Sequence, residues 1–410
     1  MHKSDSDDKS WLDILFLPLH RRIDSGWGGE FVPPVNLGLS VASVSIRFTA
    51  VTGVIDEKSR SVLEGTGSNV FSILKNDSYG DRKNNALHDV KFYYKIFLKG
   101  RRFLKPDTIV HHAFPLGYGA GFNPLFLSGI KNPKVIGPLC FTPDPLIELS
   151  NVKKQGLAAD ERLGNGRYLL RLLYAKTIES ANLILFDSNQ TRQQVMDLVP
   201  NSADKEFLIM PSCGVSVLEN DTKLKFPNDD QGNIRIGIIT HLRPRKRVDT
   251  VLKALKNCRS ELLTLDIIGD GPSRAYLETM VKAFNLGKKV RFLGMVNYFD
   301  LKKYLETFDI VIHLDQIPHM INPTIQDTLS AGIPVIFSEE SSVAKYKEHQ
   351  YGWQVDMDDP DPLSDLLNFL TNHTGVIKEK SMKALEYAKS NLSYKSVGTN
   401  LANAYLKLAK

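Results

Sequence analysis

The apolar positions of this chain fall into two blocks of the same kind. In the first, Leu12–Leu19 (LDILFLPL) is a short apolar run that reads as a buried strand and ends in the polar, glycine-rich RRIDSGWGGE. Val44, Ile46 and Phe48 alternate and predict another strand. Pro106 and Asp107 precede a strand over Thr108–Val110 that ends at His111 and His112, and Pro133 precedes one over Lys134–Gly137. Arg167–Ser180 carries Leu169, Leu172, Leu173 and Ile178 at helical spacing. It leads into strands over Leu183–Phe186 and Phe207–Met210.

A polar stretch, Leu218–Asn233, separates this block from the second. There the pattern predicts strands over Ile234–Ile239, Leu263–Ile268, Val290–Leu293, Ile310–Leu314 and Val335–Phe337. Helices are predicted between them over Val248–Asn257, Ser273–Phe284, Asp300–Phe308 and Ile325–Ala331. At the end, Tyr394, Val397, Leu401, Tyr405 and Leu408 share one helical face, so that helix packs on something. Strands alternating with helices mean parallel sheets with right-handed crossovers. The expected fold class is therefore α/β, with two Rossmann-like domains facing a central cleft and ligands beyond the carboxyl ends of the strands. The expected boundaries are residues 1–217, a linker over 218–233, 234–390, and a terminal helix over 391–410.

Composition narrows the class. A chain of 410 residues exceeds one ordinary core. With 42% hydrophobic and 24% charged residues it is globular, not disordered. Three widely spaced cysteines, Cys140, Cys213 and Cys258, argue against a disulfide framework or a paired-cysteine zinc site and fit a reducing compartment. No apolar run approaches the roughly 20 residues of a membrane span. The acidic start MHKSDSDDKS does not read as a secretory signal. A cytoplasmic protein is expected, with attachment to the inner face of the membrane as an option. The net charge of +6 suits anionic ligands or an anionic membrane surface and gives no argument for nucleic acid.

Three segments of the second block carry candidate chemistry. In IRIGIITHLRPRKRVD a buried strand ends in a loop with His241, Arg243, Arg245, Lys246 and Arg247, and a helix follows. Cations between a strand end and a helix N-terminus make a diphosphate site, because helix amides and dipole add to the side-chain charge; a solvated basic loop is the equal alternative. In LTLDIIGDGPSRAYLETM, Gly269 and Gly271 permit a tight turn and Pro272 suits a first helical position, which alone favours a structural turn. In HMINPTIQDTLSAGIPV a short helix starts near Thr324, with the amides of Thr324 and Ile325 aimed at the cleft. Asp327 then either accepts from two vicinal hydroxyls, such as a ribose, or simply complements the helix dipole. The acids Asp356, Asp358, Asp359 and Asp361, interleaved with Pro360 and Pro362, read as a helix-capping loop rather than a metal site.

Together these segments resemble the nucleotide-sugar half of the retaining GT-B glycosyltransferases, the large group 1 family with mannosyl- and glucosyltransferases. HLRPRKRVD, IIGDGPSRAYLE, VRFLGMV, LETFDIVIHLD and DTLSAGIPV occur in that family's order and spacing. MPSCGVS resembles its domain junction, SANLILFDSNQTR the end of its first domain, and LSYKSVGTNLANAYLKL the terminal helix that packs back toward the first domain. The resemblance covers about Leu172 to the end; earlier, KPDTIVHHAFPLG and KVIGPLCFTPDP fit in position only.

The resemblance implies a hexosyltransferase. The first domain would bind a glycan or lipid-linked acceptor and the second a UDP- or GDP-sugar, with no cofactor and no metal. Retention would be achieved without a strong protein nucleophile: Lys246, with His241, Arg243 or Arg245, would stabilise the leaving diphosphate. Asp327 would hold the ribose, while Met295 and Val296 would border the base. The sequence departs from the family in places. His241 stands where the family usually has Arg. The family's paired glutamates fall on His319 and Asp327, and its Gly-Gly pair on Ser341-Ser342. The first-domain His of the family falls near Pro138, with His111 and His112 as nearby candidates for a catalytic role beside Lys246 and His319.

Two features of the first block stand beside this. Gly28 and Gly29 would let backbone approach the phosphates or the acceptor, or form an ordinary turn, and Pro33-Pro34 is expected to break the helix that the family starts here. Lys91–Lys105 (KFYYKIFLKGRRFLK) has six cations and no acid, with five aromatics. Lys95, Lys99, Arg101 and Arg102 suit an anionic membrane surface that delivers an acceptor, against a surface helix with lysines snorkelling over apolar packing. Two competing functions share the architecture. One is a non-catalytic binding partner, motivated by His241 and His319; the other is a sugar-nucleotide epimerase using His111, His112 and His319.

Overall fold

The computed structural model describes residues 12–18, 22–23, 33–73, 86–113, 123–140, 173–218, 233–315, 323–338 and 351–409. Its strands are β1 (Ile14–Pro18), β2 (Arg22–Ile23), β3 (Phe48–Thr52), β4 (Val54–Ile55), β5 (Asn69–Ser72), β6 (Ile109–Ala113), β7 (Lys134–Leu139), β8 (Leu183–Phe186) and β9 (Glu206–Ile209), then β10 (Ile234–Ile239), β11 (Leu263–Ile268), β12 (Val290–Gly294), β13 (Ile310–His313), β14 (Val335–Ser338) and β15 (Gly352–Val355). The helices that position the argument are α1 (Pro33–Ala42), α2 (Ala86–Arg101), α3 (Val248–Asn257), α4 (Tyr298–Leu305), α5 (Pro323–Ser330) and α6 (Tyr394–Leu408).

The chain divides into two compact units. The first holds the described residues up to Gly214 together with the stretch from Tyr394 onward; the second runs over Val215–Ser393. The first contains a seven-stranded sheet of order β5-β3-β1-β6-β7-β8-β9, with every pairing parallel, and a small parallel pair of β2 and β4. The second contains a six-stranded parallel sheet of order β12-β11-β10-β13-β14-β15. β1 and β10 each stand at a point where strand order reverses, and apart from Arg235, which pairs with Asp266, they are built of apolar residues and glycine because parallel strands are covered on both faces. In the second unit Ile236, Ile238, Leu265, Ile267, Ile310 and Ile312 fill the core against Val251, Leu252 and Leu255 of α3.

In the first unit α6 lies on α1, with Val397, Leu401 and Tyr405 fully buried among Val35, Leu37 and Val41. A Cβ on Gly398 would stand 1.9 Å from the Ser40 carbonyl oxygen, so only glycine allows this helix approach. The Pro33-Pro34 expectation is overturned: α1 begins at Pro33, where a missing N–H costs nothing and the ring's fixed φ suits the first turn. The alternation of Val44, Ile46 and Phe48 also misled. Ser45 has φ 66° in a turn, and the strand starts only at Phe48. His111 and His112 lie inside β6 rather than beyond it. Residues 173–179 of the expected Arg167–Ser180 helix are helical, and most of the 218–233 stretch lies outside the described residues.

Candidate active site

The second unit gathers its charged groups at the carboxyl ends of β10, β13 and β14. β10 ends at Ile239, and Thr240 and Leu242 bond the neighbouring turn: their N–H groups donate to Ile268 O at 3.0 Å and Asp270 O at 2.9 Å. Gly269, at φ 127°, makes this approach possible, since a Cβ there would lie 1.8 Å from Thr240 O. The loop then forms a short 3-10 turn over Pro244–Lys246, and Arg247 adopts the left-handed region at φ 47° before α3 begins. His241 and Arg243 are exposed, Arg245 is partly buried, and Lys246 is buried.

Lys246 has a partner that the sequence did not suggest. Its Nζ donates to Asp315 Oδ2, and Arg245 Nη1 donates to Asp315 Oδ1 at 3.2 Å. Asp315 follows β13 and is fixed by Ser338 at the end of β14. Its N–H donates to Ser338 Oγ at 3.2 Å, and that hydroxyl donates back to the Asp315 carbonyl at 3.1 Å. His313 is buried beside this cluster; burial first, then Lys246 and Arg245 against the opposing pull of Asp315, lowers its pKa to about 3, so it is neutral. Arg247 ion-pairs with Asp358, and Asp359 caps the next helix by accepting from Asp361 N at 3.0 Å.

α5 supplies the other half of the site. Pro323 opens it, and Thr324 and Ile325 are in the first turn, where the N–H groups have no intrahelical acceptor. Asp327 sits one turn further. Tyr298 Oη, from the first residue of α4, donates to Asp327 Oδ1 at 2.9 Å, while the buried Oδ2 has no partner among the described residues. Burial pushes the Asp327 carboxyl up to about 7 against the pull of that hydrogen bond. The buried Thr240 Oγ1 is likewise without a partner among the described residues. Met295 is half exposed and Val296 partly buried, both just beyond β12. This second unit thus places two cations, one of them buried, at the same end of its sheet as a helix N-terminus and a half-satisfied carboxylate, groups that suit an anion with neighbouring hydroxyls.

Residues 219–391 match the family model for glycosyl transferases group 1. The second unit is a group 1 glycosyltransferase domain. No curated protein sequence matches the chain. Solved structures resemble it over nearly its whole length. Anabaena HepE, solved in complex with UDP, is 14% identical with a TM-score of 0.68, covering 97% of this chain and 100% of that one. Sucrose-phosphate synthase from Thermosynechococcus elongatus is 16% identical with a TM-score of 0.69, covering 97% and 99%. WaaG, a glycosyltransferase involved in lipopolysaccharide biosynthesis, is 13% identical with a TM-score of 0.64, covering 96% and 99%. The fold of this glycosyltransferase is accordingly the two-domain α/β fold of the GT-B enzymes.

The glycosyltransferase domain brings Arg245, Lys246, Thr324, Ile325 and Asp327 to the carboxyl ends of one sheet. It does not bring His111 and His112 to any surface: both are fully buried in β6 of the first unit. His111 Nε2 donates to Gly137 O at 2.9 Å, which leaves Nδ1 to accept from Tyr405 Oη at 2.6 Å. Burial lowers its pKa to about 4. His112 stands edge-on to Phe126 at 6.0 Å. A catalytic role for either histidine gives way to a packing one, because no substrate reaches them. Lys99 is corrected as well. Its Nζ lies 4.8 Å over the Phe71 ring and 5.6 Å over Phe103, which takes it out of a free cationic face. Gly28, Gly29, His319, Ser341 and Ser342 lie outside the described residues.

Sequence reading missed Asp315 and Tyr298. For Asp315 the available signal was an acid at the carboxyl end of a predicted strand; for Tyr298, a phenol just inside a helix capped by Asn297, whose side chain accepts from Phe299 N.

Proposed function

We propose that this glycosyltransferase transfers a hexose from a nucleoside-diphosphate sugar to a glycan or lipid-linked acceptor with retention of configuration. The observation that carries the reading is the placement of a buried Lys246 and a half-satisfied Asp327 at the carboxyl ends of one parallel sheet. Uridine is the favoured base, because HepE has been solved with UDP and with UDP-glucose; GDP is the competitor.

In this reading the diphosphate meets Lys246, Arg245, Arg243 and His241, together with the amides of Thr324 and Ile325. Asp327 accepts from the ribose hydroxyls through its free Oδ2, and Met295 and Val296 border the base. The bond between the anomeric carbon and the diphosphate oxygen breaks as the acceptor oxygen attacks on the same face. The acceptor's proton passes to the departing phosphate oxygen. The chain's contribution is the fixed positive charge that meets the developing negative charge. The epimerase alternative is the weaker reading, since burial removes two of its three histidines.

The acceptor half of the proposal falls to the first unit. Among the described side chains of α2, the exposed ones are Tyr94, Lys95, Leu98 and Arg101, with Arg102 next in the chain; Tyr94 and Leu98 are 60% and 45% exposed. This spacing makes one stripe of an apolar ridge flanked by cations, suited to the headgroup level of an anionic bilayer. Glutamates at Lys95, Arg101 and Arg102 should abolish binding to phosphatidylserine liposomes and leave nucleotide binding unchanged; retained liposome binding overturns the membrane part.

The test of the whole is calorimetry and thermal shift against UDP, GDP, ADP and their hexose conjugates. One nucleotide should stabilise the fold by about 2.7 kcal/mol at a hundredfold excess over its Kd. A folded chain that binds none of them would make the non-catalytic binding partner the better account.

A further inference from the structure

Lys246 is held by a carboxylate where the proposed function needs it to hold a phosphate. Asp315 accepts from both Lys246 and Arg245, and the three side chains are 8%, 8% and 28% exposed. Two features separate this contact from an incidental ion pair. The Asp315 main chain is tied to the fully buried Ser338 hydroxyl by a reciprocal pair of hydrogen bonds, so the backbone that carries the carboxylate is held at the ends of β13 and β14. The two cations are neighbours in one short 3-10 turn, Pro244–Lys246, so a single carboxylate meets both.

The geometry points to Asp315 as a positioning residue that stands in for the diphosphate, keeping Lys246 and Arg245 folded inward before the nucleotide arrives and competing for them afterwards. This rests on the donor site proposed above. Taking a lysine out of water without a counter-charge is costly, and a fixed carboxylate meets that cost in the empty protein. When a diphosphate binds, the cluster holds two cations against a carboxylate and a polyanion. The carboxylate and phosphate groups then repel at close range in a medium of reduced dielectric. The phosphates bind less tightly than the two cations alone would allow, and the nucleoside diphosphate left after transfer is released faster. A purely structural ion pair predicts the opposite, a looser loop and weaker binding once the carboxylate is gone.

The experiment measures binding of UDP, inorganic pyrophosphate and uridine to the full chain by calorimetry. Asp315→Asn should bind UDP and pyrophosphate about tenfold more tightly, or better, with uridine unchanged, because only the phosphates face the removed charge. Asp315→Glu, which restores the charge, should return pyrophosphate affinity toward that of the unaltered protein. If Asp315→Asn does not fold, Lys246→Gln with Asp315→Asn is compared with Lys246→Gln alone. Removing both partners of a buried pair is better tolerated than removing one, and pyrophosphate should bind the double variant about tenfold more tightly. Unchanged or weaker pyrophosphate binding in the neutral variants overturns the inference while leaving the donor site standing. If the unaltered protein binds neither UDP, GDP nor pyrophosphate, the donor site itself has failed.

Discussion

Both units bury titratable groups in or just beyond parallel strands, and they use them differently. In the first unit His111 has each ring nitrogen matched by a group of the same unit: the Gly137 carbonyl on one side and the Tyr405 hydroxyl on the other. In the second, Lys246 and Arg245 converge on one carboxylate, and Asp327 has one oxygen bonded and one not. Burial therefore does not by itself mark a site. His111, with its hydrogen bonds closed by the fold, is a fastening, whereas the open oxygen of Asp327 at a strand-end site is where a ligand is to be sought.

The sharpest way to break this comparison is to remove a cation from the second unit. Lys246→Ala should lower hexose transfer by about 10²–10³-fold, the range for loss of one electrostatic group facing developing charge. Transfer measured with the donor identified by binding decides it, and an unchanged rate places the phosphate site elsewhere. The fastening in the first unit makes the opposite kind of prediction, on stability alone. His111 has a folded pKa of about 4, below its unfolded value near 6.5. The unfolded chain binds the extra proton first, so stability is full above about pH 6.5 and falls as the pH drops towards 4. The loss is about 3 kcal/mol. Denaturant titrations of the unaltered protein and of His111→Gln should diverge in slope across that window. Parallel curves would mean that His111 is not held neutral.

Tyr405→Phe probes the same fastening more gently. It leaves the α6 packing in place and takes away the hydroxyl that His111 Nδ1 accepts from, which should cost about 1–2 kcal/mol. Nucleotide affinity should be unaffected. A drop in affinity would mean that the terminal helix governs the donor site.

The two units also differ in how far the sequence foretold them. Ile234–Ile239, Val248–Asn257 and Leu263–Ile268 were legible to the residue because apolar runs end abruptly at polar or glycine positions. In the first unit Pro33-Pro34 gave a break signal that tertiary packing turned into a helix start, and the 44–48 alternation spanned a turn. Within the candidate site, Lys246 and Asp327 were legible because each lies beside a strand end or helix start. Asp315 and Tyr298 were not, because their roles come from partners 69 and 29 residues away in the chain. Local pattern does not encode such meetings. His111 was misread for a related reason: its fastening residue, Tyr405, is 294 residues downstream.

The last test concerns the oxygen of Asp327 that the fold leaves unbonded. Burial lifts its pKa to about 7, above the usual carboxylate range. A group raised on folding stabilises the fold below its unfolded pKa, and that contribution is lost as pH rises through 7. In the empty protein, Asp327→Asn should therefore be closer to the unaltered chain in stability at pH 5 and relatively more stable at pH 8. Ribose hydroxyls donate best to the ionised form, so uridine should bind about tenfold more tightly at pH 8 than at pH 6, following the ionised fraction of a group titrating near 7. Uridine is the suitable probe because its own groups do not titrate between those values, unlike a nucleotide's phosphate. In Asp327→Asn the affinity should be weak and flat with pH. A uridine affinity that is flat in the unaltered protein would remove Asp327 from the ribose and make its Tyr298 contact a fastening of the same kind as that of His111.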